Sequence, residues 1–343
     1  MMSKPNNTKA RVARASPLLC SFAMLALLVS SAASSSTATQ EKKKPRPDEQ
    51  VQPAGIPEPR RADDEPLHLH SDLVVVNVTV TDKNGEYAHG LKAADFSISE
   101  DDAAQEVNFF AAEEAPFAAA ILIDMSGSMG YKFSLVRAAA ASFIDHIRDN
   151  DQVAVYGFNN KVRLLQEFSD SRDISDYVWD VKAENSTRLY DCIDEAIEAL
   201  INRPEKRRAV LMISDGWDSS SHKASSGSVM KKALSAGVTI YSLDLVEASA
   251  LAGSGSEVMA LRKGRGEMRE FAGQTGGRYV YSPQGDKLDD EFNGIVDELR
   301  NQYTLTYYST NRKRDGRWRR LNVSVGRERM TVRSRRGYWA PKS

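Results

Sequence analysis

The middle of this sequence, residues 116–302, predicts a doubly wound α/β fold: a mainly parallel sheet with helices on both faces. Three observations carry that prediction. Phe117 to Ile123 and Ala209 to Ile213 are continuous apolar runs, as strands buried on both faces require. Between them, apolar residues recur at helical spacing: Leu135, Val136, Ala139, Phe143, Ile144 and Ile147, then Ile193, Ala196, Ile197 and Leu200. Glycines stand where helices should stop, at Gly237 and at Gly276-Gly277. Strand-like flanks, residues 70–115 and 303–343, add a small accessory β domain.

The elements follow in order. Residues 1–35 carry Lys4, Lys9, Arg11 and Arg14, then the apolar stretch Pro17 to Val29, then the small-residue run Ser30 to Ser36. That is the pattern of a secretory signal peptide. The apolar stretch is short for a spanning helix, which needs about 20 residues; a cleaved signal is favoured over a retained N-terminal anchor. Leu19 precedes Cys20 where a lipidation site needs a small residue. Residues 36–69 are polar and proline-rich, an extended linker unable to bury a core.

In residues 70–115, Val74, Val76, Val78 and Val80 alternate with other residues as in a half-buried strand. Lys83-Asn84-Gly85 reads as a hairpin-type turn. Phe96 to Glu100 and Val107 to Phe110 are further strands. The α/β region reads as helix 131–148, strand Val153 to Phe158 with hairpin partner Val162 to Phe168, helices Asp173 to Val181 and Leu189 to Ile201, and strand Ala209 to Ile213. Helix Ser225 to Ala236, strand Val238 to Val246, and helices Met259 to Ala272 and Leu288 to Leu299 follow. Strands return at Tyr303 to Tyr308, Trp318 to Val325 and Arg329 to Arg333, expected to join residues 70–114 in one sheet.

Composition narrows the function classes. The chain has 343 residues and a formal net charge of −1. Without residues 1–35 it has 42 basic and 47 acidic residues, about −5, a mildly acidic protein with no general affinity for nucleic acid. Residues 311–343 hold 12 basic and 2 acidic residues, read as solvated strand positions rather than an anion-binding patch. Beyond a signal peptide only Cys192 remains, a buried thiol that can form no internal disulfide. The sequence lacks a Gly-x-Ser-x-Gly elbow, a phosphate-binding loop and a His-Glu-x-x-His pair. The five histidines do not cluster with carboxylates or cysteines, and His68-Leu-His70 reads as a linker edge, so no catalytic residue is assigned.

The chemistry gathers where the first buried strand ends, at Asp124-Met-Ser126-Gly-Ser128-Met-Gly130. Ligands of open α/β sheets bind at the carboxyl ends of strands. Asp124, Ser126 and Ser128 alternate, so their side chains can converge, and the glycines permit a tight turn. One carboxylate and two hydroxyls make an all-oxygen set, suited to Mg²⁺ first and Mn²⁺ or Ca²⁺ after it, and unsuited to zinc. Separate helix caps and a turn are the bland alternative.

Asp124-x-Ser126-x-Ser128 resembles the metal-ion-dependent adhesion site of von Willebrand factor A domains, and two more pieces of that motif follow in order. Asn185-Ser-Thr187-Arg-Leu-Tyr-Asp191 resembles the family's loop threonine before a helix, and Ile213-Ser-Asp215-Gly216 its strand-end aspartate. The resemblance implies the Rossmann-like fold of that family. It also implies a metal held by Asp124, Ser126, Ser128, Thr187 and Asp215, with one position open to an Asp or Glu carboxylate of a protein partner. The flanks, Val78-Thr-Val-Thr-Asp-Lys-Asn-Gly, Leu91-Lys-Ala-Ala-Asp-Phe-Ser-Ile-Ser-Glu-Asp and Tyr303-Thr-Leu-Thr-Tyr-Tyr, resemble the exported von Willebrand factor A-related proteins abundant in Acidobacteria. Asp102-Ala103 departs from the Asp-Gly expected in that group's turn. The function so implied is adhesion through a bridging cation, outside the cytoplasm, in the periplasm or beyond the cell. An exported scaffold with a structural metal is the alternative, and a hydrolase the weaker third. Trp217 and the small-residue loop Glu247 to Glu257 are candidates for the rim of that face.

Overall fold

The computed structural model describes residues 73–112, 115–172, 186–246, 248–281 and 286–342. The expected signal peptide, the linker, helix Asp173 to Val181 and Asn185 lie outside the described residues. Among the described residues no helix is long and apolar enough to cross a membrane.

Six strands form the central sheet: β5 (Phe117–Asp124), β6 (Gln152–Phe158), β7 (Val162–Ser169), β8 (Arg207–Ser214), β9 (Val238–Asp244) and β10 (Tyr279–Tyr281). Their order is β10-β9-β8-β5-β6-β7, parallel throughout except for β7, the hairpin partner of β6. The apolar run of β5 serves both faces, as period-2 geometry demands. Phe117, Ala119, Ile121 and Ile123 pack with α1 (Phe133–Asp145) and α5 (Asp286–Asn301). Ala118, Ala120 and Leu122 pack on the other side with α2 (Leu189–Ile201), α3 (Ser226–Ala236) and α4 (Ser256–Thr275). Gly237, at φ 68°, ends α3, and Gly276, at φ 85°, ends α4, the left-handed stop expected of glycine after a helix. The chain runs from β5 to β6 on one side and returns to β8 on the other. The sheet order therefore reverses between β5 and β8, the crevice where open α/β sheets bind ligands.

The flanks correct one expectation. They form two four-stranded sheets, not one. The first has the order β13-β1-β11-β4, with β1 (Leu73–Thr81), β4 (Phe109–Ala111), β11 (Tyr303–Tyr308) and β13 (Thr331–Ser334). The second has the order β14-β12-β2-β3, with β2 (Phe96–Glu100), β3 (Ala103–Gln105), β12 (Trp318–Val325) and β14 (Gly337–Trp339). The reason lies in the apolar faces. Val74, Val76, Val78 and Val80 of β1 and Leu305 and Tyr307 of β11 need a cover. Phe96, Ile98, Leu321 and Val323 of the second sheet supply it in a shared core.

Two turns also differ in detail. Asp101 and Asp102, at φ 47° and 70°, form the two-residue loop between β2 and β3, with Glu100 paired to Ala103. The left-handed positions of this loop thus fall one residue earlier than an Asp102-Ala103 turn would place them, so Ala103 needs no glycine. Lys83-Asn84-Gly85 closes only a single Thr81–Tyr87 bridge around the Asp82 carboxylate, which accepts hydrogen bonds from Asn84 N and Glu86 N at 2.8 and 3.0 Å.

Buried charges join the two parts. Arg207, fully buried at the start of β8, donates to the carbonyls of Ala112, Ala115, Leu299 and Arg300 and to Thr304 Oγ1. It thereby clamps the entry to β5 against the end of α5. Glu298 of α5 accepts from Tyr241 Oη at 2.8 Å and from Thr79 Oγ1 at 3.4 Å, and pairs with Arg333 of β13.

Candidate metal centre at the sheet edge

The site begins with the last residue of β5. Asp124 is fully buried; its Oδ1 accepts from Ser126 N at 2.9 Å and its Oδ2 from Ser214 Oγ at 2.6 Å. Ser126 starts the 3-10 turn at 127–132 that leads into α1, and its Oγ lies 2.9 Å from Ser128 Oγ. Ser128 Oγ in turn donates to Asp215 Oδ2 at 2.7 Å. Asp215 follows β8, and its Oδ1 accepts from Trp217 N at 2.9 Å. Four of the five expected residues thus form one hydrogen-bonded chain spanning the β5–β8 crevice, joined at Asp124 through Ser126 N and from Ser126 to Asp215 through oxygens. Ser128 is exposed, whereas Asp124, Ser126 and Asp215 are buried.

Thr187, the fifth, lies just before α2 and is buried. Its backbone is pinned to the loop after β8: its N donates to Ser219 Oγ at 2.9 Å, and its carbonyl accepts from Ser219 N and Ser220 N. Among the described residues its hydroxyl bonds to none of the other four. Asp191 anchors the same loop by accepting from Lys223 N and Ala224 N, each at 3.0 Å.

Electrostatics sets this cluster apart. Burial, and then the nearby charge of Asp215, push the Asp124 carboxyl up to about 7, against the lowering hydrogen bonds of Ser214 and Ser126. The groups that contact Asp124, Ser126 and Ser128 are hydroxyls, backbone amides, one another and the Asp215 carboxylate. Among the described residues no cation pairs with Asp124 or Asp215. No group of three or more His, Cys, Asp or Glu side chains able to hold a metal occurs among them either. The donors are two carboxylates and neutral hydroxyls, a set that fits a hard divalent cation and not zinc.

Some supports were not visible in the sequence. Ser214 sits inside a quoted motif, yet nothing in its spacing announces that it holds Asp124 while accepting from Gly216 N at 2.9 Å. Gly216, at φ 79°, lies against Gly264 of α4, where a Cβ on Gly264 would meet Gly216 O at 2.3 Å. That approach sets the position of the Asp215 loop. Trp217 is half-buried behind the same loop. Glu247 lies outside the described residues; Ala248–Leu251 beyond it form a 3-10 turn.

Residues 119–217, from β5 to the loop after β8, match the family model of the von Willebrand factor type A domain. The chain carries a von Willebrand factor type A domain. The match contains Asp124, Ser126, Ser128, Thr187 and Asp215. No curated protein matches the chain. Among solved structures, it is similar to the conserved hypothetical protein BatB from Bacteroides thetaiotaomicron, at 15% identity over 54% of this chain and 98% of that one, with a TM-score of 0.42. It is also similar to a von Willebrand factor type A protein from Catenulispora acidiphila, at 15% identity over 79% of this chain and 63% of that one, TM-score 0.45. A third likeness is to proximal thread matrix protein 1 from the mussel byssus, at 16% identity over 65% of this chain and 50% of that one, TM-score 0.43. The family assignment rests on the sequence match alone.

Cys192, inside α2, is fully buried, and burial holds its thiol well above its ordinary value. Three of the twelve basic residues of the C-terminal segment pair with the N-terminal flank: Arg319 with Glu100, Arg320 with Asp102 and Arg327 with Asp95.

Proposed function

We propose that this chain is an exported adhesion-type module that binds an acidic side chain of a protein partner through Mg²⁺ at the β5–β8 crevice. One observation carries the reading: Asp124 and Asp215 share a buried strand-end site with serine hydroxyls and, among the described residues, no cation. Asp124, Ser126, Ser128 and Asp215 would hold the ion, and Thr187 would complete the set. Bound there, the ion would supply a Lewis-acid contact for an Asp or Glu carboxylate. Ser214 and the Trp217 amide hold the two carboxylates in orientation. Neutral hydroxyls dampen the ion's charge less than carboxylates would, which favours an incoming anion. Catalysis is not assigned: the Ser126 and Ser128 hydroxyls contact each other and Asp215, with no histidine or lysine partner among the described residues. Export rests on the pattern of residues 1–35, and the mass of the mature N-terminus checks it.

The test is Asp124→Ala in the full chain. Pull-down of exported proteins, with and without chelator, should lose the same partners in the variant as in chelator, with the metal-free melting temperature little changed. Lost stability with retained binding would instead favour a structural metal in a scaffold, the reading suggested by the complete burial of Asp124.

A further inference from the structure

Away from the strand-end crevice lies a cavity of about 820 Å³, bounded by the start of β1, α3 and the C-terminal segment from β14 onward. It shares no residue with the metal centre. Its charge is one-sided: Lys206, Arg208, Lys231, Lys232, Arg335 and Lys342 line it, and no carboxylate does. Lys232 is neutralised by Asp194 and Glu198. Among the described residues, Lys206, Lys231 and Lys342 have no ion pair, and all three are exposed. Lys342 is guided to the cavity by Gly316, across whose α-carbon its stem lies; a Cβ there would meet Lys342 Cε at 2.6 Å.

Arg335 is the telling residue. It is buried, yet it has no carboxylate partner among the described residues. Its Nη1 donates to Leu234 O and its Nη2 to Val75 O at 2.7 Å, while Nε–H has no acceptor there. The Tyr338 ring lies 5.3 Å from the guanidinium carbon. Burial without a counter-charge pulls its pKa down to about 10. An unpaired buried cation with an unused donor is costly unless an anion meets it. The remaining wall is mostly apolar, with Leu73 and Ile201 both exposed and Trp339 half-buried.

We propose that this cavity binds an amphiphilic anion, its single phosphate or carboxylate head among Arg335, Lys206 and Lys342 and its apolar body against Leu73, Ile201 and Trp339. The size suits a ligand of one head and one short chain. The head chemistry is shared by free amphiphiles and by anionic lipids, and the test separates them.

The probe is dodecyl phosphate below its micelle concentration, titrated calorimetrically into the full chain. Controls are inorganic phosphate and the uncharged dodecyl maltoside. Lys206→Glu with Lys342→Glu alters only exposed side chains, and Ser235→Trp fills the cavity from α3 without touching a charge. The proposal expects one dodecyl phosphate per chain, weakened about tenfold or more by the double reversal and by Ser235→Trp, and insensitive to chelator. Both controls bind far more weakly. Capture on phosphatidylglycerol vesicles in addition, lost in the same variants, assigns the head to a lipid; its absence assigns a free amphiphile. No binding of dodecyl phosphate, equal binding by the reversed protein, equal binding of inorganic phosphate, or vesicle capture without monomer binding would each overturn the proposal.

Discussion

Glu100 closes β2 and Asp124 closes β5, and both carboxylates are buried, yet their company differs in kind. Glu100 accepts from Tyr307 Oη at 2.7 Å, Tyr338 Oη at 2.9 Å and Ser309 Oγ at 2.7 Å, with the Arg319 guanidinium at 3.8 Å. Asp244, closing β9, is likewise met by Arg265 at 2.6 Å. Asp124 has neutral donors and a second carboxylate nearby. A buried charge that the fold has already compensated is part of the scaffold. One left to neutral donors is poised for a cation from outside. The contrast separates Glu100 and Asp244 from Asp124 without appeal to the motif.

The sharpest way to break that contrast is to strip a scaffold carboxylate of its partner. Arg265→Ala should cost about 3–5 kcal/mol, read from denaturant unfolding, because Asp244 is left buried and uncompensated. Asp124→Asn should behave in the opposite way. Its amide can still accept from Ser126 N and donate to Ser214 Oγ, so metal-free stability should not fall. What should vanish is the rise in melting temperature with Mg²⁺, worth about 2.7 kcal/mol in the native chain at a hundredfold excess over Kd. If both variants lose equal stability without metal, the distinction fails. Gly264→Ala should push the Gly216 backbone away, costing about 1–3 kcal/mol and weakening Mg²⁺ in calorimetric titration through Asp215. Smallest is Tyr338→Phe, which removes one of several donors to Glu100; a loss of about 1 kcal/mol in the same unfolding assay is expected.

How much of this was legible follows from the physics of each element. β5 and β8 could be read because a strand buried on both faces has no polar positions to blur it, and α2 because its apolar stripe is regular. Asp124, Ser126 and Ser128 could be read because alternation in one short segment already implies convergence. The strands β3, β10 and β14 have three residues each, too few to show a period. The second accessory sheet was hidden for a different reason: alternation reveals that a face is apolar, not which face covers it. Arg335 looked like any solvated position in a basic run, and only the packing of α3 and β1 against it makes it a buried cation. Ser214 and Gly264 owe their roles to contacts between elements, to which spacing is blind.

The interleaving of the flanks has a consequence for how the chain is made. β1 pairs with β11 and β13, and β2 with β12, so each of these two strands waits for a partner more than two hundred residues away. Until those residues emerge, the valine face of β1 has nothing to cover it, a state prone to mispairing. The inserted α/β domain shortens that wait. Once folded, it holds Ala112 and Ala115 together with Leu299, Arg300 and Thr304 on the single buried side chain of Arg207, and a closure across the whole chain becomes the meeting of two neighbouring ends. The domain that carries the proposed metal site is thus also the template on which its own accessory sheets assemble.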